Sequence, residues 1–557
     1  MQLRPHLRTI TAALATAWLV VIELWIHLWY TRPFATWVGW DEAYIAAFAE
    51  RMIERTWTPY VDAVSHRGPL LYWIAAGVEL IGGRNAWAPF RYAALLFSVA
   101  SVVLLFALGA VSRRPLAGFI AATAFVFATL FGMEPKDGIG FNGELVALPF
   151  VLAATLCTVV AHERTSLRLE SRIWLAAACG ALLVLAGLCK QIAFAHLLPL
   201  ALWWLAITLR DRTPIPRLSL RPMIGLLIGV LTPLAAVFTF FARGDNLRPF
   251  LYYFFTYNRT VYLGPITLGF AVESSFLFLR DNVPMLFLTA LGLAAAWTRV
   301  ASRTRNASSF LTAFSNDALL ASSALQLLLG LIGAMSTFRF WGHYFITAVP
   351  WIGVLAGLLL EERFNAPNPD GTRMRPRFSY ALVIVPLIAL SIGLGQLTRL
   401  WLDGQRRRGF FGNPGEDPVT SYIVANSAPG DSLFVWGFAP EYYVSTKRRA
   451  ASRYVFTTFV AGVVPWFYNL TPEQEARLVV PGSREQLLRE LREERPAIIL
   501  DVPLSVTGRS LRAYPELVDF LDDGYCYERT IAGGNDRLVH AYLRKKSDGP
   551  CEKAPPP

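Results

Sequence analysis

The apolar run "PLLYWIAAGVELIGG", Pro69 to Gly83, decides the topology of this chain. Counted as a membrane crossing, it places Arg113 and Arg114 outside and inverts every later loop. A helical crossing needs about 20 predominantly apolar residues; this run is shorter and carries Glu79. It therefore reads as a juxtamembrane or half-inserted helix on the outer face. Working outward, apolar segments near 9–30, 88–111, 115–132, 144–161, 173–190, 193–209, 222–242, 276–297, 318–336, 343–360 and 378–399 are each long enough to span. The expected fold class is a polytopic α-helical membrane protein with about 11 transmembrane helices plus interfacial helices. Residues 9–30 lack a small-residue cleavage site, so they read as a retained first helix, not a signal peptide.

With that count the arginines fall on one side: Arg4 and Arg8, Arg113 and Arg114, Arg164 to Arg172, Arg210 to Arg217, Arg299 to Arg305, and Arg363 to Arg377. That side is the cytoplasm by the positive-inside rule. The expectation is a multi-pass protein of the inner or plasma cell membrane with a cytoplasmic N-terminus. The 557 residues are 54% hydrophobic and only 17% charged, below the usual quarter of a soluble domain. The net charge of +12 lies largely in these short loops, which excludes nucleic acid as the partner.

From about residue 400 the pattern changes. "DGQRRRGFFGNPGEDP" reads as a linker, given the boundaries 400–415, and closes a transmembrane domain over 1–399. Over 416–549 the strands "SLFVWG", "AIILDV", "YCYERTI" and "RLVHAYLR" alternate with the helices "VTSYIVANSA", "REQLLRELREE" and "PELVDFLDD". This is a small C-terminal α/β domain, extracytoplasmic because the span count is odd. Residues 550–557 read as a disordered tail. Cys157, Cys179 and Cys189 lie in apolar spans as free thiols, while Cys526 and Cys551 can pair if their domain is exported.

Four polar loops share the outer side. The first, between Gly39 and Trp73, holds Asp41, Glu42, Asp62, His66 and Arg67. Its stretch from Glu42 to Arg55 reads as an interfacial helix with Asp41 at the N-cap, Tyr44, Ile45, Phe48, Met52 and Ile53 as an apolar stripe, and Glu50, Arg51, Glu54 and Arg55 facing away. A plain cap with no chemistry is the alternative for Asp41. The second loop, "MEPKDGIGFNGEL", supplies Glu134, Lys136, Asp137, Asn142 and Glu144, with Gly138, Gly140 and Gly143 permitting close approach of a ligand. The third places Asn258 and Arg259 after an aromatic run, and the fourth, "STFRFWGHYF", offers Arg339, His343 and Tyr344. Arginine grips phosphate through paired charge-assisted hydrogen bonds, and a carboxylate can take the proton of a sugar hydroxyl. Glu23 and Lys190 read as snorkelling side chains, and Trp203 and Trp204 as part of an aromatic belt.

"WDEAYIA", "HRGPLLYW", "RYAALLFSVASVVLLF" and "GFNGEL" together resemble the GT-C superfamily of polytopic glycosyltransferases, in the branch of the protein O-mannosyltransferases and the lipid A aminoarabinose transferase. "RFWGHYFITAVPW" and "LFVWGFAPEYYVSTKRRAASRYVF" are similar to stretches in bacterial members. The resemblance implies transfer of a sugar from a polyprenyl monophosphate to a glycan, lipid or protein acceptor on the outer face, with inversion. It implies Asp41 as base beside Glu42, with His66, Arg67 and Arg259 on the donor phosphate. Glu144 stands where the family usually has Asp. The acceptor pocket would take Tyr72, Asn142, Asn258, Arg339, His343 and Tyr344. The acids could hold a divalent cation, but arginines on the phosphate make one unnecessary, and no cofactor is otherwise expected. A lipid or glycolipid flippase, or a non-catalytic assembly protein on the same scaffold, remains the alternative.

Overall fold

The computed structural model describes residues 5–31, 39–133, 135–210, 220–263, 266–304, 317–365, 417–462, 470–503, 509–533 and 537–545. In chain order the principal helices of the first part are α1 (Pro5–Thr31), α2 (Trp40–Ile53), α3 (Pro69–Gly82), α4 (Trp87–Val111), α5 (Pro115–Phe127), α6 (Gly143–Glu163), α7 (Leu169–Cys189), α8 (Leu197–Arg210), α9 (Arg221–Ala242), α10 (Leu268–Thr304), α11 (Ala318–Met335) and α12 (Val349–Asn365). Seven helical segments among the described residues are long and apolar enough to cross a membrane. They coincide with the expected spans at 9–30, 88–111, 144–161, 173–190, 193–209, 222–242 and 318–336. The 115–132 span is α5 continued by a π-helical turn, Ala128–Gly132, and 276–297 lies within α10. The 343–360 span begins as a 3-10 turn before α12, and 378–399 lies outside the described residues, as do the linker at 400–415 and the tail. α3 is 14 residues long, too short to cross.

The chain divides into two compact units that cut across its order: Met1–Trp29, Tyr92–Ala242 and Ile266–Trp401 form one, and Tyr30–Arg91, Arg243–Pro265 and Leu402–Pro557 the other. The first unit is built by close helix packing on small residues, since apolar side chains gain little against lipid that is equally apolar. A Cβ at Gly229 of α9 would meet the Ala177 carbonyl oxygen of α7 at 1.9 Å, and one at Gly357 of α12 would meet the Ala117 Cα of α5 at 2.6 Å. Trp203 and Trp204 are buried here instead of forming a belt, because α8 packs against its helical neighbours. Glu23 and Lys190 are likewise buried or nearly so and paired, Glu23 with His27 at 3.2 Å and Lys190 with Glu144 at 2.8 Å, so neither snorkels.

The second unit joins the first outer loop to the C-terminal domain. That domain adds α13 (Pro418–Asn426), β1 (Ser432–Trp436), α14 (Glu441–Thr446), β2 (Arg449–Ala450), α15 (Ser483–Glu494), β3 (Ile498–Asp501), α16 (Pro515–Gly524), β4 (Tyr525–Ala532) and β5 (Leu538–Arg544). The sheet order is β2-β1-β3-β5-β4. β1 is parallel to β2 and β3, and β5 is antiparallel to β3 and β4. Every strand expected from sequence is present; the two-residue edge strand β2 is too short to show a pattern. Cys526 is disulfide-bonded, the three span cysteines are free, and Cys551 lies outside the described residues.

The helix expected at Glu42–Arg55 is α2, and its surroundings correct the interfacial reading. Glu50 and Arg51 do not face water: every residue from Glu42 to Met52 is buried. Arg51 donates to the carbonyls of Asp62 and Ala450, and Glu50 pairs with Arg84 at 2.5 Å. The C-terminal domain therefore covers the side that the sequence assigns to solvent. Phe48 stacks on Tyr72 of α3 at 3.6 Å, and Tyr44 lies 6.1 Å from the Phe456 ring.

Candidate active site

Gly39 takes the N-cap of α2 in an extended conformation, φ −161°, ψ 164°, so Asp41 is not the cap as expected but the second residue of the helix. There it still lies in the first turn, where free amide groups favour a carboxylate. Arg67 reaches it from the next loop, with Nη2 2.5 Å from Asp41 Oδ1. The loop that delivers Arg67 is fixed by its own polar groups. Asp62 accepts hydrogen bonds from the Thr56 and Thr58 amides at 3.0 and 2.7 Å, and the Tyr60 hydroxyl donates to the Arg67 carbonyl at 2.7 Å. Trp57 and Tyr60 take positive φ of 64° and 68° within this tight turn.

The Arg67 guanidinium also lies over the Tyr44 ring at 5.4 Å. Burial pulls it down most strongly, but Asp41 beside it, together with Tyr72 and Tyr44, more than offsets that, so it is held above its ordinary value and stays charged. Nη1 is buried with no hydrogen-bond partner in the protein. A buried cationic donor without an acceptor is costly, and a second anion would satisfy it. Arg67 is 13% exposed and Asp41 31%, so the pair opens to solvent.

The third loop meets this one at the backbone. Asn258 Nδ2 donates to the His66 carbonyl at 2.8 Å, and the His66 ring stacks on Tyr257 at 6.1 Å. Arg259 follows directly, exposed, on a π-helical turn, Asn258–Tyr262. π-Turns of this kind mark functional sites often enough to note here. The structure thus joins Asp41 to Arg67 and brings Asn258 to His66. It does not pair Arg259 with either acid.

Two further residues of the expected site in this unit turn inward. Glu42 forms an ion pair with Arg91, both 2% exposed. Tyr72 is fully buried, bonded to Ser65 Oγ at 2.5 Å, and its hydroxyl is pushed up to about 12 by burial. It shapes the wall behind Arg67 and presents no face to an acceptor.

The first unit holds the other expected residues. Asn142 is the N-cap of α6: it accepts from the Leu145 amide at 2.9 Å and donates to the carbonyls of Asp137 and Gly140. Its amide is used by the loop, not by a ligand. The loop glycines serve packing in the same way; a Cβ at Gly138 would meet the Thr129 carbonyl oxygen at 1.8 Å. Glu144 pairs with Lys190, whose Nζ lies 4.8 Å over the Tyr344 ring. His343 Nδ1 meets Asp137 Oδ1, and the Arg339 guanidinium lies 5.9 Å from the Trp341 ring. By sequence Asp137 stands out only among the charges of the second loop and Lys190 only as a snorkelling side chain; the partner of Asp137, His343, is far along the chain. Glu134 lies outside the described residues. Among the described residues no three His, Cys, Asp or Glu side chains gather in metal-binding geometry.

No protein-family model matches the sequence, and no curated protein matches it. Solved structures do. The structure of ArnT from Cupriavidus metallidurans bound to undecaprenyl phosphate is similar at 14% identity and a TM-score of 0.53, covering 94% of this chain and 98% of that one. The apo state of the same protein is similar at 14% identity and a TM-score of 0.51, covering 95% and 98%. The likeness is one of fold and runs nearly end to end: this chain shares the fold of that solved protein.

Proposed function

We propose that this protein is a membrane glycosyltransferase that moves a sugar from a polyprenyl monophosphate to an acceptor hydroxyl, with Asp41 as the general base. The observation that carries the reading is the Asp41–Arg67 pair, in which one guanidinium nitrogen holds the acid and another is buried without a partner. Arg67 would receive a donor phosphate oxygen at Nη1 and stabilise the charge that the phosphate gains on leaving. Arg259 and His66 stand on the segments joined by Asn258 and would complete that grip. The acceptor hydroxyl gives its proton to Asp41 and bonds to the anomeric carbon. The carbon–oxygen bond to the phosphate breaks, and the polyprenyl phosphate leaves with the electron pair. Attack from the face opposite the phosphate inverts the anomeric centre. The fold likeness to a protein solved with undecaprenyl phosphate supports the donor class.

The site would lie on the outer face of the inner or plasma membrane. The disulfide at Cys526 supports export of the C-terminal domain, since disulfides persist in oxidising compartments. The positive-inside pattern supports a cytoplasmic N-terminus. The experiment compares wild type with Asp41→Asn in lipid nanodiscs, supplied with polyprenyl-phosphate sugars and a cell-envelope extract. Transfer by wild type, reduced by about 10²- to 10⁴-fold in the variant, is the expected result. Equal transfer by both removes Asp41 from its role. Lipid translocation without transfer favours the flippase.

A further inference from the structure

Trp40, the first residue of α2 and the neighbour of Asp41, is held by two side chains of the C-terminal domain. The Arg537 guanidinium lies over its indole ring at 4.2 Å, and the Phe438 ring approaches at 6.0 Å, inclined by 73°. Arg537 directly precedes β5 and is 8% exposed. Its Nη1 donates to Glu441 Oε1 of α14 at 3.2 Å, while Glu441 Oε2 is buried with no hydrogen-bond partner. Phe438 also lies 6.2 Å from the Tyr44 ring, the ring that carries Arg67. Both members of the Asp41–Arg67 pair are therefore backed by an aromatic side chain that the C-terminal domain touches: Asp41 through its neighbour Trp40, and Arg67 through Tyr44.

Packing alone does not call for this arrangement. A buried ion pair is often no more stabilising than apolar residues of the same volume. A guanidinium held by a carboxylate and placed over an indole does something that an apolar side chain cannot, because it restrains the ring from one face. Fixing Trp40 fixes the first turn of α2, from which the Asp41 side chain projects one residue later.

We infer that the Arg537–Trp40 stack is a positioning device by which the C-terminal domain sets the place of the Asp41 carboxylate for sugar transfer. This rests on the reading of Asp41 as the base, and gives the domain a task that its own sheet does not reveal. Arg537 touches neither donor nor acceptor in this account. It acts through Trp40.

The test uses the full-length protein in nanodiscs, with transfer from a polyprenyl-phosphate sugar as the rate and undecaprenyl phosphate as the binding ligand. Arg537→Ala is expected to lower transfer by roughly 10- to 100-fold, the effect of a misplaced catalytic group. Undecaprenyl phosphate affinity should stay within about twofold, because the loss belongs to the transition state. Arg537→Lys, which keeps a cation over the ring, should recover most of the rate. Trp40→Ala should lose as much as Arg537→Ala, and the double variant no more than Trp40→Ala alone, because the two act as one unit. If Arg537→Ala does not fold, Glu441→Gln, which loosens Arg537, should show the same split between transfer and binding. Full transfer by the Arg537 or Glu441 variant, parallel loss of transfer and binding, or additive losses in the double variant would each overturn the inference. A wild type that transfers nothing defeats the base reading instead, which separates the two failures.

Discussion

Asp41 with Arg67 in one unit, and Glu144 with Lys190 in the other, are both acid–base pairs that join separate segments of the chain. They differ in how far each opens to solvent. Glu144 is 1% exposed and Lys190 13%; the lysine also lies over Tyr344, and His343 beside that ring is engaged with Asp137. Asp41 is 31% exposed, and the guanidinium facing it retains a buried nitrogen with no acceptor. The pair closed off from solvent joins two helices of the first unit. The more exposed pair, with its unpartnered guanidinium nitrogen, is the one the proposed function uses.

The sharpest way to break this contrast is Arg67→Ala. Transfer should fall by about 10²- to 10³-fold, as when a donor to developing charge is removed, and undecaprenyl phosphate binding should weaken with it. Binding that survives intact would show that the unsatisfied nitrogen is not the phosphate contact. Next in size is Glu144→Gln, which leaves Lys190 without its counter-charge. Breaking one partner of a buried pair costs about 3 kcal/mol or more, so the expected reading is a lower unfolding temperature. A variant that keeps its stability and loses transfer would move Glu144 into the chemistry and erase the distinction.

A smaller effect comes from Asp501, a fully buried acid at the end of β3 that accepts from Ser510 Oγ and the Leu511 amide. Burial is the main cause that pushes it up to about 6 from its ordinary 3.8, against those hydrogen bonds. Between these values the folded carboxyl keeps a proton that the unfolded one releases. The stability it contributes is complete below about pH 4 and lost as pH rises to about 6, a change of about 3 kcal/mol. Hydrogen exchange of the β3 amides should follow that slope, and Asp501→Asn should flatten it. A slope of the opposite sign would mean that hydrogen bonding outweighs burial there.

Much of the architecture was legible because it rests on local patterns. Hydropathy and length give eleven spans, of which seven are met by long apolar helices among the described residues, and the short α3; the four longer strands of the sheet follow from β-rich runs between turn residues. That Asp41 and Arg67 come together was legible because the motifs on either side of the loop hold them in one segment. What was not legible depends on distant partners. Arg51 reads as a solvated face residue until Ala450 covers it, 399 positions later, and Asp137 and His343 are 206 apart. Glu144 reads as the second carboxylate from the family resemblance, with no local sign of its pairing with Lys190. The glycines of the second loop looked like room for a ligand, but they are room for neighbouring backbone.

The burial of α2 under the C-terminal domain has a biosynthetic consequence. At about 5–20 residues per second, the ribosome delivers Arg51 some 20 to 80 seconds before the Ala450 carbonyl that receives it exists. Throughout that interval the Arg51 cation must stay solvated without its later partner. The competent enclosure around Asp41 is thus a late product of maturation, closed only when nearly the whole polypeptide has been made.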